Sequence, residues 1–391
     1  MPSAEIRTTL LLAALFSFRL LGLFMILPVF TLYAGEYEHT TPLLIGTAIG
    51  IYGLTQALCQ LPLGFFSDRF GRKPILLFGL SLFALGSLFA GLAHQISSVI
   101  VGRALQGAGA IGSTILATAS DLTSEQHRPK AMALIGITIG VTFSLAMVLG
   151  PVIAAHYHLS GIFFVSLALA LFGMLLTLRL PALPAYRTTS FWTQFKYTLT
   201  PTILFFDLSI FLLHTLLTAN FIVIPLVLLN HLHIPKAQQW SVYIPVLVLS
   251  AIFMSFLLRK SNQPAQTKRI FRLAIYLLCL SQLGMTLFHH HLFALLISLL
   301  IFFTAFNLLE ALLPALISQL APPAARGTTL GIYSTCQFLG IFVGGFLGGL
   351  LYGQFSTIGV FLFGLVITLL WLPLLLFIFI PPGELHGKRH Q

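Results

Sequence analysis

The sequence predicts an all-α membrane protein of twelve transmembrane helices arranged as two pseudo-symmetric six-helix halves. Three observations lead there. The 391 residues are 58% hydrophobic and only 7% charged, with a mean hydropathy of +0.99, a composition that does not cover a water-exposed surface. Apolar runs of about 18 to 26 residues recur from end to end, and each is long enough to cross a ~30 Å hydrocarbon core as a helix. The Lys and Arg residues between those runs fall almost entirely on one side.

Span 1 is placed at 8–33. It is too long for the core of a signal peptide, carries Arg19 and has no convincing small-x-small cleavage site, so it reads as the first helix. Spans 2, 3 and 4 follow at 43–64, 74–94 and 98–120, and spans 5 and 6 at 130–155 and 160–181, with TTP, GRKP and HRPK as helix-breaking separators. The basic segment ALPAYRTTSFWTQFKYTLTPT, 182–202, is the longest connection and divides the spans six and six. It makes 1–181 the N-terminal half, 182–202 a cytoplasmic linker and 203–391 the C-terminal half with a short cytoplasmic tail. Spans 7 to 12 are placed at 203–229, 240–258, 270–290, 292–317, 327–352 and 358–380, with NQPAQ and APPAARG among the breaks. These short connections leave no room for a separate soluble domain. Cys59, Cys279 and Cys336 are odd in number and far apart inside spans, offering neither a disulfide framework nor metal spacing.

A net charge of +11 raises the question of nucleic acid, but the positions answer it. Every Lys and Arg outside the spans except Lys236 falls on the side of the termini, from Arg7 and Arg69 to Lys388 and Arg389. The excess is therefore a topology signal that puts both termini in the cytoplasm, with attraction to anionic lipid as a secondary consequence and no nucleic-acid partner.

Four stretches carry a resemblance. Gly64-x-x-x-Asp68-Arg69-x-Gly71-Arg72-Lys73 resembles the 2–3 loop signature of the major facilitator superfamily, and Arg103-x-x-Gln106-Gly107-x-Gly109-Ala110 a second signature of it. LGLFMILPV, Leu21 to Val29, resembles the span 1 signature of the drug/proton antiporter branch, with Thr31 in place of the usual second proline. Span 5 matches that branch's antiporter signature in part: Gly150 and Pro151 are present, but Ala146, Ala154 and Ala155 stand where glycine is usual. About half a chain later, VGGFLGGL supplies Gly344, Gly345, Gly348 and Gly349, and Ser318-Gln319-Leu320 echoes Ser120-Asp121-Leu122, as expected of parallel six-helix repeats.

The resemblance implies a secondary active transporter of the bacterial inner membrane that exports small apolar or amphipathic compounds by alternating access. Its partners would be the substrate, protons and the bilayer, its driving force the proton gradient, and its state a monomer without cofactor or metal. A metabolite or sugar transporter or a uniporter of the same fold is the alternative. A channel fits less well, and an embedded enzyme would need clustered nucleophiles, carboxylates or metal ligands that the sequence does not present.

The resemblance also implies a conformational latch. Gly64 is expected to let span 2 approach span 11, so that Asp68 meets the N-terminus of span 11 around Arg326 to Thr328, where free N–H groups favour a carboxylate. Arg72 is expected to pair with Asp121 at the end of span 4, with Arg69, Gly71 and Lys73 completing the loop. The alternative is a tight charged turn that only obeys the topology rule.

Ionisable residues deep in a bilayer are costly and usually face a cavity or a partner. Glu310 in span 10 shares a helical face with Asn307 and is the first candidate proton carrier; a fixed structural hydrogen bond is the alternative. His214 in span 7 is the second, against a neutral buried histidine. Asp207 lies about one turn inside span 7, as a proton site or an interfacial anchor. For Arg103 the resemblance implies proton transfer, and a carbonyl-bonded brace of span 4 against span 1 is the alternative, with Gln106 beside it. Arg19, Asn307 and Gln106 are the candidate cavity residues; Arg19 must find an acidic, backbone or ligand partner. Gly150, Pro151, Gly344, Gly345, Gly348 and Gly349 are expected to allow close packing and bending. The abundant Phe reads as lipid-facing bulk before an aromatic pocket. Nine histidines, from His39 to His291, are expected on the periplasmic side, where neutral imidazoles respect the charge rule and a metal cluster would require loops to converge.

Overall fold

A computed structural model of the chain describes residues 1–181, 198–259, 264–321 and 325–375. Most of the predicted linker and the predicted C-terminal tail lie outside the described residues. Ten helices among those described are long and apolar enough to cross a membrane. Two of them, Arg128–Leu178 and Arg326–Leu374, each contain two crossings, because the backbone turns at His158 (φ 55°) and Ser356 (φ 56°). The result is twelve crossings. The left-handed residues fall at matching places in the two halves: His158 and Ser356 divide spans 5/6 and 11/12, and His39 and His233 lie in the 1–2 and 7–8 connections.

Local sequence chemistry sets several helix ends. Span 2, Pro42–Phe70, starts with Thr41 accepting from Leu44 N at 3.3 Å, and span 7, Pro201–Asn230, with Thr200 accepting from Ile203 N at 3.3 Å. In each the proline occupies the first turn, where its missing N–H has no helical partner to lose. Gly71 then reverses the chain at φ 92° between span 2 and span 3, Arg72–Gly91, a conformation open to glycine.

Two spans are less regular than predicted. Span 1 ends as a helix at Phe24 and resumes as the short buried helix Phe30–Tyr33, since Pro28 cannot donate to the Phe24 carbonyl. Span 4 is split into Ile96–Ala108 and Gly112–Asp121. At the break Gly109 lies so close to the Gly79 carbonyl of span 3 that a Cβ would stand 2.3 Å from it.

The remaining described spans are Trp240–Arg259, Pro264–Phe288 and Leu292–Leu320, spans 8, 9 and 10. The halves meet chiefly through spans 2 and 11. A Cβ on Gly345 would stand 2.7 Å from the Gly46 carbonyl oxygen, and one on Gly349 would stand 2.5 Å from the Pro42 carbonyl oxygen. Gly344 and Gly348 face the other way, against Thr215 and Ala219 of span 7, so four glycines let one helix touch both neighbours at backbone distance. Gly150 lies similarly against the Met25 carbonyl, with Pro151 next in the helix. At the face opposite the N-terminus, Lys236 Nζ donates across the halves to Leu32 O at 2.7 Å and stands 4.5 Å over the Tyr33 ring.

Candidate functional site

Three helices bring the two foremost candidates together. Span 7 presents His214, 6% exposed, two helical turns beyond Asp207. Span 10 presents Glu310, whose side chain retains 31% exposure although it points inward. Between them span 11 inserts Gln337: its Nε2 donates to Glu310 Oε1 at 3.1 Å and lies 2.9 Å from His214 Nε2. His214 Nδ1 sits 3.3 Å from the Ile210 carbonyl. That carbonyl can only accept, so the fitting tautomer carries hydrogen on Nδ1 and leaves Nε2 to accept from Gln337. Glu310 Oε2 stands 3.8 Å from His214 Nε2 and has no hydrogen-bond partner among the described residues. Phe306, one turn before Glu310, packs on the imidazole at 5.5 Å between ring centroids.

Gln337 was not predicted. A neutral glutamine in an apolar helix carries no charge cost to flag it, and only its rotation toward spans 7 and 10 gives it a role. Asn307 shares the Glu310 face but donates to Ser250 of span 8 at 3.1 Å.

Asp207 lies within the helix packing. It is 3% exposed, and neither carboxylate oxygen has a partner among the described residues. The Tyr333 hydroxyl and Cys336 thiol of span 11 lie within its electrostatic reach, and Tyr333 also within that of Glu310.

The N-terminal half has a different interior. Arg103 Nε donates to the Ala48 carbonyl of span 2 at 3.3 Å, so the helix it braces is span 2 rather than span 1. Its Nη1 donates to Gln106 Oε1 at 2.8 Å, and Gln106 Nε2 to Ser87 of span 3 at 2.7 Å. Gln106 is fully buried in that network and faces no cavity. Tyr52 lies under both guanidinium groups, 4.7 Å from Arg103 and 5.8 Å from Arg19. Among the described residues Arg19 finds no acid: its Nη2 donates to Gln56 Oε1.

In the 2–3 connection, Arg72 Nε donates to Asp121 Oδ2 at 2.9 Å and Nη1 to Ser67 at 2.7 Å, while Nη1 also holds Asp68. Lys73 Nζ donates to the Leu178 carbonyl at 2.7 Å. Arg69 lies over the Phe70 ring, 5.6 Å from its centroid. Two expectations are corrected. The Gly64 position faces Ser113 of span 4, at 3.5 Å from a Cβ, and not span 11. Asp68 is drawn to the adjacent guanidinium, whose full charge outcompetes the partial charge of a helix end; a Cβ on Gly327, in the first turn of span 11, would meet nothing within 4 Å.

The histidines do converge in part. The rings of His231, His289 and His290 lie 4.0 to 5.9 Å apart. No group of three or more His, Cys, Asp or Glu among the described residues is arranged to hold a metal ion.

A family model described as Major Facilitator Superfamily matches residues 12–287 and 206–391, which together run through both halves. The chain belongs to this superfamily. It is 39% identical over 378 residues to the inner membrane transport protein YajR of Escherichia coli K12, covering 95% of this chain and 83% of that one. It is 37% identical to an uncharacterized transporter of Buchnera aphidicola subsp. Schizaphis graminum, covering 94% and 95%. Among solved structures, a bacterial homologue of the human lysosomal transporter Spinster, inward-facing and occupied, shares the fold at a TM-score of 0.75 with 13% identity, covering 96% of each chain. The protein is thus a membrane transporter of the major facilitator fold.

Proposed function

We propose that this transporter is a proton-coupled exporter of small apolar or amphipathic compounds, working as a monomer by alternating access in the bacterial inner membrane with both termini cytoplasmic. The observation that carries the reading is the convergence of Glu310, Gln337 and His214 from three helices. Glu310 is the group that gains and loses the proton. As a carboxylate it takes the Gln337 amide hydrogen; once protonated it accepts less strongly and becomes a donor itself, with Nε2 of His214 the nearest basic nitrogen. Gln337 therefore senses the charge of Glu310 from span 11. That same helix carries Gly345 and Gly349 against span 2, so a small rotation of span 11 passes directly to the N-terminal half. The one-sided Lys/Arg distribution supports the orientation, and the YajR likeness supports the inner membrane.

The test is uphill transport in proteoliposomes with and without a pH gradient. Glu310→Gln is expected to lose gradient-driven accumulation and keep exchange at equal pH. His214→Ala is expected to retain partial coupling. Full concentrative transport by Glu310→Gln removes it from the proton path.

A further inference from the structure

The 2–3 connection carries Arg69, Arg72 and Lys73, and the last two are bonded within the protein. Arg72 is held by Asp121, Ser67 and Asp68, and Lys73 Nζ donates to the carbonyls of Leu178 at 2.7 Å and Leu180 at 3.2 Å. Both carboxylates of this region, Asp68 and Asp121, are thus taken by Arg72. Arg69 is exposed and has no carboxylate partner among the described residues; its guanidinium lies instead over the Phe70 ring, 5.6 Å from the centroid.

Phe70 is also one wall of a groove. At the ends of spans 2 and 3 nearest the connection, Leu63, Phe66, Phe70, Ile75 and Phe78 line a space of about 270 Å³. Leu63 and Ile75 are its buried floor, while Phe66, Phe70 and Phe78 stand exposed along it. From Phe70 back to Leu63 is two turns of helix, so the groove runs about 10 Å from the connection toward the hydrocarbon at 1.5 Å per residue. The space is smaller than the pockets that enclose a drug-sized ligand and is lined by apolar side chains alone, which suits a stretch of hydrocarbon chain lying along the helices. A cation without a counter-charge at the mouth of such a groove matches a molecule with an anion at one end and a chain at the other.

We propose that this groove is a docking site for an anionic phospholipid, with its phosphate on Arg69 and the first part of one acyl chain between Phe66, Phe70 and Phe78. The groove opens on the outer surface of spans 2 and 3, on the side of the membrane that holds the N-terminus, so its occupant comes from that leaflet and not from the transport path. A cation at head-group level draws an anionic lipid, and the Phe70 ring under the guanidinium keeps the charge beside the chain-binding walls. A lipid seated there bridges the ends of spans 2 and 3 next to the Arg72 network. The site is independent of the export reading.

Thermal unfolding of the purified protein in neutral detergent tests this, with dioleoylphosphatidylglycerol, dioleoylphosphatidylcholine and inorganic phosphate as probes. The phosphatidylglycerol is expected to raise Tm saturably at about fivefold lower concentration than the phosphatidylcholine, the pull of one basic residue at the surface, and phosphate not at all. Arg69 and Phe78 are exposed, so Arg69→Gln and Phe78→Ala should fold with an unchanged lipid-free Tm. Arg69→Gln should make the two lipids equal, and Phe78→Ala should weaken both. Arg259→Gln, exposed at the end of span 8 on the same side of the membrane, should keep the preference. Equal action of the two lipids on the unaltered protein, or a preference that survives Arg69→Gln, would overturn the head-group contact. Loss of the preference in Arg259→Gln as well would reduce it to general surface charge, stabilisation by phosphate would show that the chain is not read, and unchanged lipid binding in Phe78→Ala would overturn the groove.

Discussion

Gly345→Ala puts a methyl group where the two halves are closest. The added carbon would stand 2.7 Å from the Gly46 carbonyl oxygen, 2.9 Å from Gly50 N and 3.0 Å from Gly50 Cα. All three are backbone atoms of span 2, so no side-chain rotation relieves the overlap. Reaching ordinary contact requires the helices to separate by roughly half an ångström, and overpacking of this kind costs about 1–3 kcal/mol. At 1.4 kcal/mol per factor of ten, any conformation that keeps this contact loses about 5-fold to 150-fold in population against one that opens it. The strain lies between halves, so each half should still fold. Gly344→Ala is the contrasting variant, because its carbon would meet the Thr215 carbonyl oxygen at 2.4 Å within the C-terminal half. Gly140→Ala is the control, with nothing within 4 Å. The assay is transport rate and thermal unfolding for all three, with spin-label distances between the ends of spans 2 and 11. Gly345→Ala should slow transport and broaden the distance distribution, and Gly344→Ala should lower Tm. Indistinguishable behaviour of Gly345→Ala and Gly140→Ala would refute backbone contact between the halves.

Arg72→Ala should destabilise the N-terminal half by about 2–4 kcal/mol, since it removes charge-assisted bonds to Asp68 and Asp121, whose side chains are only 27% and 21% exposed. Arg72→Lys should recover little of the lost Tm, because one ammonium does not reproduce the fork of Nε and Nη1. Burial first, and then His290 and His233, hold the His231 imidazole below its ordinary range, and burial with His290 does the same to His289. A depressed histidine resists a proton that the unfolded chain accepts, so stability is full above about pH 6.5 and declines as pH falls below it. Replacing both histidines with asparagine should flatten that decline in a Tm-against-pH series, and an unchanged slope would exclude the cluster as its cause.

The family was legible only through the resemblance of short motifs such as Gly64 to Lys73 and Arg103 to Ala110. The composition and the spacing of apolar runs were enough for the membrane class and the twelve crossings, because hydrocarbon thickness and charge cost act on one residue at a time along the chain. The residues able to carry charge chemistry were legible for the same reason: Glu310, His214, Asp207, Arg19 and Arg103 stand out wherever their helices point. Their partners were not. Gln337 meets Glu310 and His214, Gln106 turns away from any cavity, and Asp68 chooses Arg72 over span 11, and each outcome depends on how its helix is rotated and tilted against two or three others. A change of one residue in register turns a side chain by about 100° around a helix of 3.6 residues per turn, from one neighbour to another. Hydropathy is nearly blind to that angle in helices that are apolar all round. Close packing of Gly344, Gly345, Gly348 and Gly349 against spans 7 and 2 fixes it for span 11, and with it the place of Gln337.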